Sequence, residues 1–519
     1  MIKTVCLSIL ILITFGGLFG QPPTNRYTAQ LFSTVTETTN IKFSTNVPKP
    51  NPGGGFYETT TGYPLNVDEF STTNVNLYMN IFQPTGDTLK KRPVVIICFG
   101  GGFVSGSKDN FNIRLIAQEL SKRGFVTAVI DYRLGMNVFD DALSMRAVYR
   151  GVQDGRSAVR FFKADAAGSN IYRVDPNQIY IGGHSAGAFV ATHNAYLDLE
   201  SERPASTYEY PQGCGLFDTS ICWCQDQGCL DCVGDNNSFS GKAKAVFSLA
   251  GAVGFTSYLE NSGDPKIIMF HSTDDGTVPY NSGQPFGNVS GLIIGFDLPV
   301  VYGSLPMKQR ADIIQLQNKF NSYTNRGHSV HEATSMSLYS DIVPEISNWF
   351  FSQLLQPELH IISGKKYVCN SDLVQSYSTN QGLATYYHWE VTGGNILNNN
   401  PLSSIVTIQW NMNAPVHQVK LTPYSIWDAK GTPTELDVII ATEFQNTWTA
   451  TSDMWTNTNN WSLLALPESC HNIAVPNQSS PIEIILQSEQ TYHIKSLTIG
   501  TNAKLTVRHP ALLLVKDQE

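Results

Sequence analysis

Hydrophobic and polar positions divide the chain into stretches of different rhythm. Residues 5–19 form an apolar run, and residues 21–73 are rich in Ser, Thr, Asn, Pro and Gly, with Asn51-Pro-Gly-Gly-Gly55 as a strong breaker. That composition predicts an extended lead-in. From residue 74, apolar runs of strand length alternate with longer amphipathic stretches. Residues 94–98 and 125–130 are apolar at nearly every position, as strands buried on both faces are. Residues 77–82, 179–182, 246–249, 267–270 and 319–323 also read as strands. Between them lie helical patterns at 112–123, with Ile113, Ile116 and Leu120 on one face, at 146–163 and at 307–314. Trp349-Phe350-Phe351 closes a last helix. This alternation predicts an α/β domain over residues 74–357, a mostly parallel sheet sandwiched between two layers of helices. After residue 357 the rhythm shortens to alternating segments with turn residues, as in Tyr386-Tyr-His-Trp389 and residues 405–410 and 416–421. That part reads as all-β, in two modules spanning 358–445 and 446–519.

Composition narrows the class. With 42% hydrophobic residues among 519, the chain can bury a large core, so global disorder is excluded. Charged residues are only 15% and the net charge is -9. No basic block exceeds Lys90-Lys91-Arg92, which reads as a solvated turn, so a nucleic-acid partner is not expected. Residues 1–20 read as a signal peptide: Lys3 precedes the apolar run, and Gly16, Gly17 and Gly20 stand near a cleavage point before Gln21. The run is short for a membrane span, so the expected product is secreted and extracellular, with no membrane span after cleavage.

Export permits disulfides. Of nine cysteines, Cys6 falls in the leader, while Cys214, Cys222, Cys224, Cys229 and Cys232 crowd one stretch. Cys229-Leu-Asp-Cys232 has zinc-ligand spacing, but no histidine accompanies it. A disulfide-stapled surface insertion is the preferred reading, and the odd number leaves one thiol free or paired elsewhere. No metal or cofactor is expected. Asn-x-Ser/Thr occurs at Asn236, Asn288, Asn460 and Asn477, which matters only if the host glycosylates.

The segment that carries chemistry is Gly183-His-Ser-Ala-Gly187, set between a strand pattern and a helical one. A serine on a sharp strand-to-helix turn is strained and exposed, and its neighbours two residues away on either side must be small. The helix that follows offers free N–H groups, beginning with Ala186, to a developing oxyanion. A serine nucleophile also needs a base and further oxyanion donors. Phe99-Gly-Gly-Gly-Phe103 follows the strand at 94–98, and the glycines let backbone amides of Gly100 and Gly101 approach a carbonyl oxygen.

Taken together, Phe99-Gly-Gly-Gly-Phe-Val-Ser-Gly-Ser107, Asp131-Tyr-Arg133, the Ser185 elbow and His271-Ser-Thr-Asp-Asp-Gly-Thr-Val-Pro-Tyr280 resemble the α/β-hydrolase fold, and within it the secreted carboxylesterases. Phe99 departs from the pattern, since many relatives have His there. The resemblance implies the chain order nucleophile, acid, base. It implies Asp275 as the acid, with the adjacent Asp274 as alternative, and His328 of Arg326-Gly-His-Ser-Val-His331 as the base, with His331 as alternative. His184 and His271 read as structural or loop-shaping. Ser185, Asp275 and His328 would then form a triad, with Gly100, Gly101 and Ala186 as the oxyanion hole. Residues 358–445 resemble PKD-like β-sandwich modules of secreted proteins, and 446–519 a β-rich module often found beside them.

These resemblances imply a serine esterase cleaving small-molecule or carbohydrate-linked esters, with acetyl or feruloyl groups on polysaccharide as candidates. The β modules would contact polysaccharide or a cell surface. The tryptophans of the last module read as core before they read as a sugar-stacking platform. Residues 200–242 and 281–305 are expected to overhang the site. Two rivals stand beside this reading. One is a serine peptidase of the prolyl oligopeptidase type, whose β-propeller has no counterpart upstream here. The other is a hydrolase-like extracellular binding protein without turnover.

Overall fold

The structure is a computed structural model. It describes residues 25–53, 65–287 apart from 216–217, 295–332, 338–380, 382–450 and 453–516. The expected signal peptide and Asn288 lie outside these residues. Two compact units emerge, Thr24–Leu355 with Trp427–Ala429, and Gln356–Ile426 with Lys430–Glu519.

The first unit is built on an eight-stranded sheet of β1 (Val35–Pro52), β2 (Val67–Pro84), β3 (Arg92–Cys98), β4 (Val126–Ile130), β5 (Val174–His184), β6 (Ala245–Leu249), β7 (Lys266–Ser272) and β8 (Asn318–Tyr323). Their spatial order is β1-β2-β4-β3-β5-β6-β7-β8. β2 runs antiparallel to both its neighbours, and every pair from β4 onward is parallel. The apolar runs of β3, β4 and β6 are buried at every position, because helices cover both faces of the sheet. The helices are α1 (Phe111–Ser121), α2 (Asp141–Ala167), α3 (Ala186–Tyr196), α4 (Ser304–Ile313) and α5 (Val343–Phe350). Alternation along β5 shows the sandwich directly. The Tyr180 ring lies 4.5 Å from that of Phe350 in α5. Ile181 points the other way, towards Gly155 of α2, where a methyl group would come within 3.3 Å of it and 2.9 Å of Val190. Gly151 and Gly155, one helical turn apart, thus let α2 lie close against α3.

The lead-in differs from expectation. Residues 35–52 are a long strand paired in register with β2 from Val35↔Pro84 to Pro52↔Val67, with several bulges. The unit therefore begins well before residue 74. The composition hid this because an edge strand buries little, and Thr-rich, half-exposed strands lack the apolar run that marks β3 or β4. The insertion around 200–242 differs too. It is pinned along α2 by buried arginines: Arg146 donates to the carbonyl of Gln225, Arg160 to that of Asp235, and Arg156 and Arg160 share Asp231. Its cysteines form disulfides Cys214–Cys222 and Cys229–Cys232, and Cys224 is the free, buried thiol.

The second unit has two cores. Strands Val374–Thr379 and Ile405–Trp410 on one sheet face Ala384–Thr392 and Gln418–Ser425 on another, enclosing Tyr377, Val406, Ile408, Trp389 and Leu421. The last stretch pairs its strands in parallel, His471–Val475 on Ser496–Ile499, Ile482–Gln487 on Ala503–Arg508 and Thr491–Ile494 on Leu512–Val515. That is successive coils of a solenoid rather than a sandwich. Trp448, Trp455 and Trp461 pack edge to face in its core, so none is a stacking platform. Cys369–Cys470 links the two cores. The Asn460 amide is buried and donates to the Met454 carbonyl, which rules out this sequon as a glycan acceptor in the folded chain.

Candidate active site

β3 lies between β4 and β5, so the chain jumps back across it after β4. The loops leaving the carboxyl ends of β3 and β5 therefore diverge and open a crevice between them. Both sequence motifs sit there. Ser185 occupies φ 55°, ψ -124°, a conformation that costs a non-glycine residue about 1–3 kcal/mol. Its amide is tied to the carbonyl of Leu249 at 2.9 Å. A side chain on Gly183 would approach the Cys98 carbonyl to 2.4 Å, and one on Gly187 to 2.2 Å. The turn thus closes against the end of β3, and only glycine fits on either side of the serine.

The structure joins three of the expected residues in one hydrogen-bonded chain. His328 Nε2 is 2.8 Å from Ser185 Oγ, and His328 Nδ1 is 2.8 Å from Asp275 Oδ2. An ionised carboxylate only accepts, so Nδ1 carries the hydrogen and Nε2 accepts from the serine. Asp275 is buried, and its Oδ1 accepts the amides of Thr277 and Val278 at 2.8 and 3.0 Å. Burial alone would raise its pKa. The hydrogen bonds from His271 and His328, with the electrostatic attraction of the His328 ring and the Thr277 amide, outweigh that and hold the carboxyl well below the usual range.

The alternatives fall elsewhere. Asp274 accepts from Ser272 Oγ and from the amide of Gly327 at 3.3 Å, so it braces the loop that carries the base and does not touch the imidazole. His331 is 4% exposed, packs its ring 4.2 Å from that of His184, and has no hydrogen-bond partner on Nδ1. Burial, then the neighbouring His328, lowers its pKa to about 4. Neither a solvated nor a capping histidine, it is packing. His184 donates from Nε2 to the carbonyl of His328 at 3.0 Å, clamping the base loop from the elbow side. Burial, His331 and His328 push its pKa well down, so the ring stays neutral.

His271 has a larger part than loop shaping. Fully buried at the end of β7, it directs Nε2 at Asp275 Oδ2 (3.1 Å) and the Val278 carbonyl (3.2 Å). Both are acceptors, so Nε2 carries the hydrogen and Nδ1 accepts from Ser304 Oγ at 2.9 Å. One carboxylate oxygen therefore serves two imidazoles. Ser304, the first residue of α4, carries no motif and was invisible in the sequence.

The glycine loop after β3 is held without the histidine that relatives have. The Phe99 ring stacks on Tyr132 at 4.4 Å, and the Tyr132 hydroxyl donates to the Phe99 carbonyl at 2.8 Å. Arg133 pairs with the buried Asp154 at 2.8 Å, fixing the segment that carries Tyr132. Gly101 and Gly102 take φ of 136° and 61°, turning the loop towards Ser185. Gly100, Gly101 and Gly102 line one cleft with Ser185 and His328, and Gly102 with Ala186 and Ser185 also lines a second, apolar cavity. Gly102 is thus a site residue that the sequence reading passed over. Of the two segments expected to overhang the site, 281–305 contributes Phe286, Leu298 and Val301, while the described residues of 200–242 reach only an adjoining cavity, through Pro204.

Residues 79–288 match the BD-FAE family model. Gut esterase 1 of Caenorhabditis briggsae is 24% identical over 390 residues, covering 69% of this chain and 64% of that protein. Neuroligin-like protein glit-1 of Caenorhabditis elegans is 33% identical over 128 residues, covering 24% of this chain and 16% of that protein. The chain thus spans less than two thirds of the length of either. A solved structure described as a truncated form of carbohydrate esterase from gut microbiota aligns at 16% identity with a TM-score of 0.37, covering 62% of this chain and 97% of that one. The first unit has the α/β-hydrolase fold, followed by an all-β region.

Proposed function

We propose that the chain is a secreted serine esterase that hydrolyses carboxylic esters through Ser185, His328 and Asp275. The observation that carries this is His328, bridging Ser185 Oγ and Asp275 at 2.8 Å on either side. As Oγ attacks the ester carbonyl, His328 Nε2 takes its proton, and Asp275 orients and stabilises the imidazolium. The carbonyl oxygen becomes the oxyanion, facing the amide of Ala186 and those of the Gly100–Gly101–Gly102 loop. The C–O bond to the alcohol breaks, and the alkoxide leaves with the proton from His328. Water then attacks the acyl-serine by the same route, releasing the acid and restoring Ser185. The names of the curated relatives, where they are esterases, support this class.

Export is supported by the leader-like first 20 residues and by three disulfides, which belong to oxidising compartments. The two β modules, the first read as PKD-like, favour a polysaccharide or cell-surface setting for a carbohydrate-linked ester. Converting Ser185 to Ala is expected to lower kcat on a p-nitrophenyl ester by roughly 10⁴- to 10⁶-fold with the fold retained by circular dichroism. Undiminished hydrolysis by that variant defeats the reading.

A further inference from the structure

Ser185 lies where an apolar cavity meets a cleft of mixed polar and apolar lining, and their placement gives the ester a direction. The first has Gly102, Ser185 and Ala186 at its mouth and apolar walls that include Phe103, Val148, Phe189 and Leu298. Among the described residues, the one polar side chain lining it besides Ser185 is Ser144, whose hydroxyl donates to the Asp141 carbonyl at 2.8 Å. The second is the cleft that His328 lines, where Ser105, Asn110, Asn112 and Thr277 stand beside apolar Val104 and Phe296, so it offers the polar side chains that the first lacks.

The chemistry assigns the two. The leaving oxygen must reach His328 Nε2 to collect its proton, so the alcohol lies in the cleft that His328 lines. The carbonyl oxygen faces the Ala186 and Gly102 amides at the mouth of the apolar cavity. The acyl chain takes the remaining direction, into that cavity. We propose that the acyl subsite is built for a plain alkyl chain longer than acetyl and the alcohol subsite for a hydroxylated alcohol, making alkanoyl esters of polyols or sugars the preferred substrates.

This rests on the hydrolytic reading above, and it departs from acetyl and feruloyl esters. An acetyl methyl fills only the mouth of the cavity. A feruloyl group would bury a phenolic hydroxyl and a methoxy oxygen in an apolar lining where, among the described side chains, Ser144 offers only an acceptor and no donor. Chain length is set by Val148, Phe189, Pro299 and Val301, which the cavity shares with a further apolar cavity beyond them. Val148, on α2, is the part of that wall a substitution can move with least disturbance to the elbow.

The test is kcat/KM of the full chain on p-nitrophenyl acetate, butyrate, hexanoate and octanoate and on methyl ferulate, with glyceryl monohexanoate set against hexyl hexanoate. From acetate to hexanoate a rise of about fourfold per methylene is expected, the worth of one buried methylene. Methyl ferulate should trail hexanoate at least tenfold, and the glyceryl ester should lead the hexyl ester. Val148→Ala should move the octanoate-to-butyrate ratio up and Val148→Phe should move it down, opposite shifts that simple destabilisation does not produce. Ser185-dependent cleavage with acetate or ferulate leading, with hexyl hexanoate preferred, or with both variants shifting the ratio alike overturns this proposal alone. Absence of cleavage of every ester overturns the hydrolytic reading with it.

Discussion

At the scale of single residues, the site is a relay of imidazoles around one carboxylate. Asp275 Oδ2 receives both His328 and His271, and His271 is fixed from behind by Ser304. The second histidine restrains the carboxylate from turning away from His328. Replacing His271 by Phe should lower kcat by roughly 10- to 100-fold with KM little changed, the cost of a slightly misplaced catalytic group. His271→Gln, which keeps a donor of similar reach, should recover most of it. Steady-state kinetics on one ester checks this, and equal loss in both variants contradicts it. Much of this site was legible beforehand. Gly183, Ser185 and Gly187 declare themselves because a strained turn tolerates no other residues at these offsets. Ser304 and Gly102 did not, because a lone serine at a helix start and the third glycine of a run carry no pattern of their own. Arg92 misled in the opposite direction. Read as part of a solvated turn, it is fully buried at the start of β3 with Asp87 nearby, and a charge in sequence says nothing of a partner five residues away.

At the scale of elements, α2 shows how a helix can be buried and still carry four arginines. Arg146 and Arg150 both pair with Glu69 on β2, at 3.1 and 2.6 Å, and all three side chains are nearly inaccessible. Arg150 also donates to the Gly135 carbonyl and Arg146 to that of Ser206, so the helix ties β2, the loop after β4 and the 200–242 insertion together. Removing Glu69 strands two buried guanidinium groups. Glu69→Ala should therefore destabilise the unit by about 3–5 kcal/mol, measured by urea unfolding. A change under 1 kcal/mol would show that water or other acceptors already satisfy them. The buried strands β3 to β7 were readable because apolar runs bounded by turns have few other fates. The long hairpin of β1 and β2 was readable only over residues 77–82, since its Thr- and Asn-rich remainder resembles a linker in composition and only pairing distinguishes them. The solenoid pairing of the last strands escaped for a related reason: parallel and antiparallel short strands share one alternating pattern.

At the scale of the molecule, buried neutral histidines make the fold acid-sensitive. Burial lowers the pKa of His193 and of His331 to about 4, and that of His184 well below its ordinary value. Between that range and about 6.5, the unfolded chain takes up protons that the folded one refuses. Stability is then complete above about pH 6.5 and falls as the pH drops towards 4. Asp275, whose pKa is lowered, acts in the same sense below its unfolded value of about 3.9. Thermal unfolding of the full chain should show Tm falling by several degrees between pH 7 and 4.5, and a flat profile would contradict the burial of these rings. The central claim, a serine activated by an imidazole from far along the chain, is tested most directly by covalent labelling. Incubated with a fluorophosphonate probe, the folded protein should carry one adduct, mapped by peptide mass spectrometry to Ser185, and His328→Ala should slow its formation by orders of magnitude. An unlabelled Ser185, or labelling that proceeds at the same rate without His328, would contradict the account.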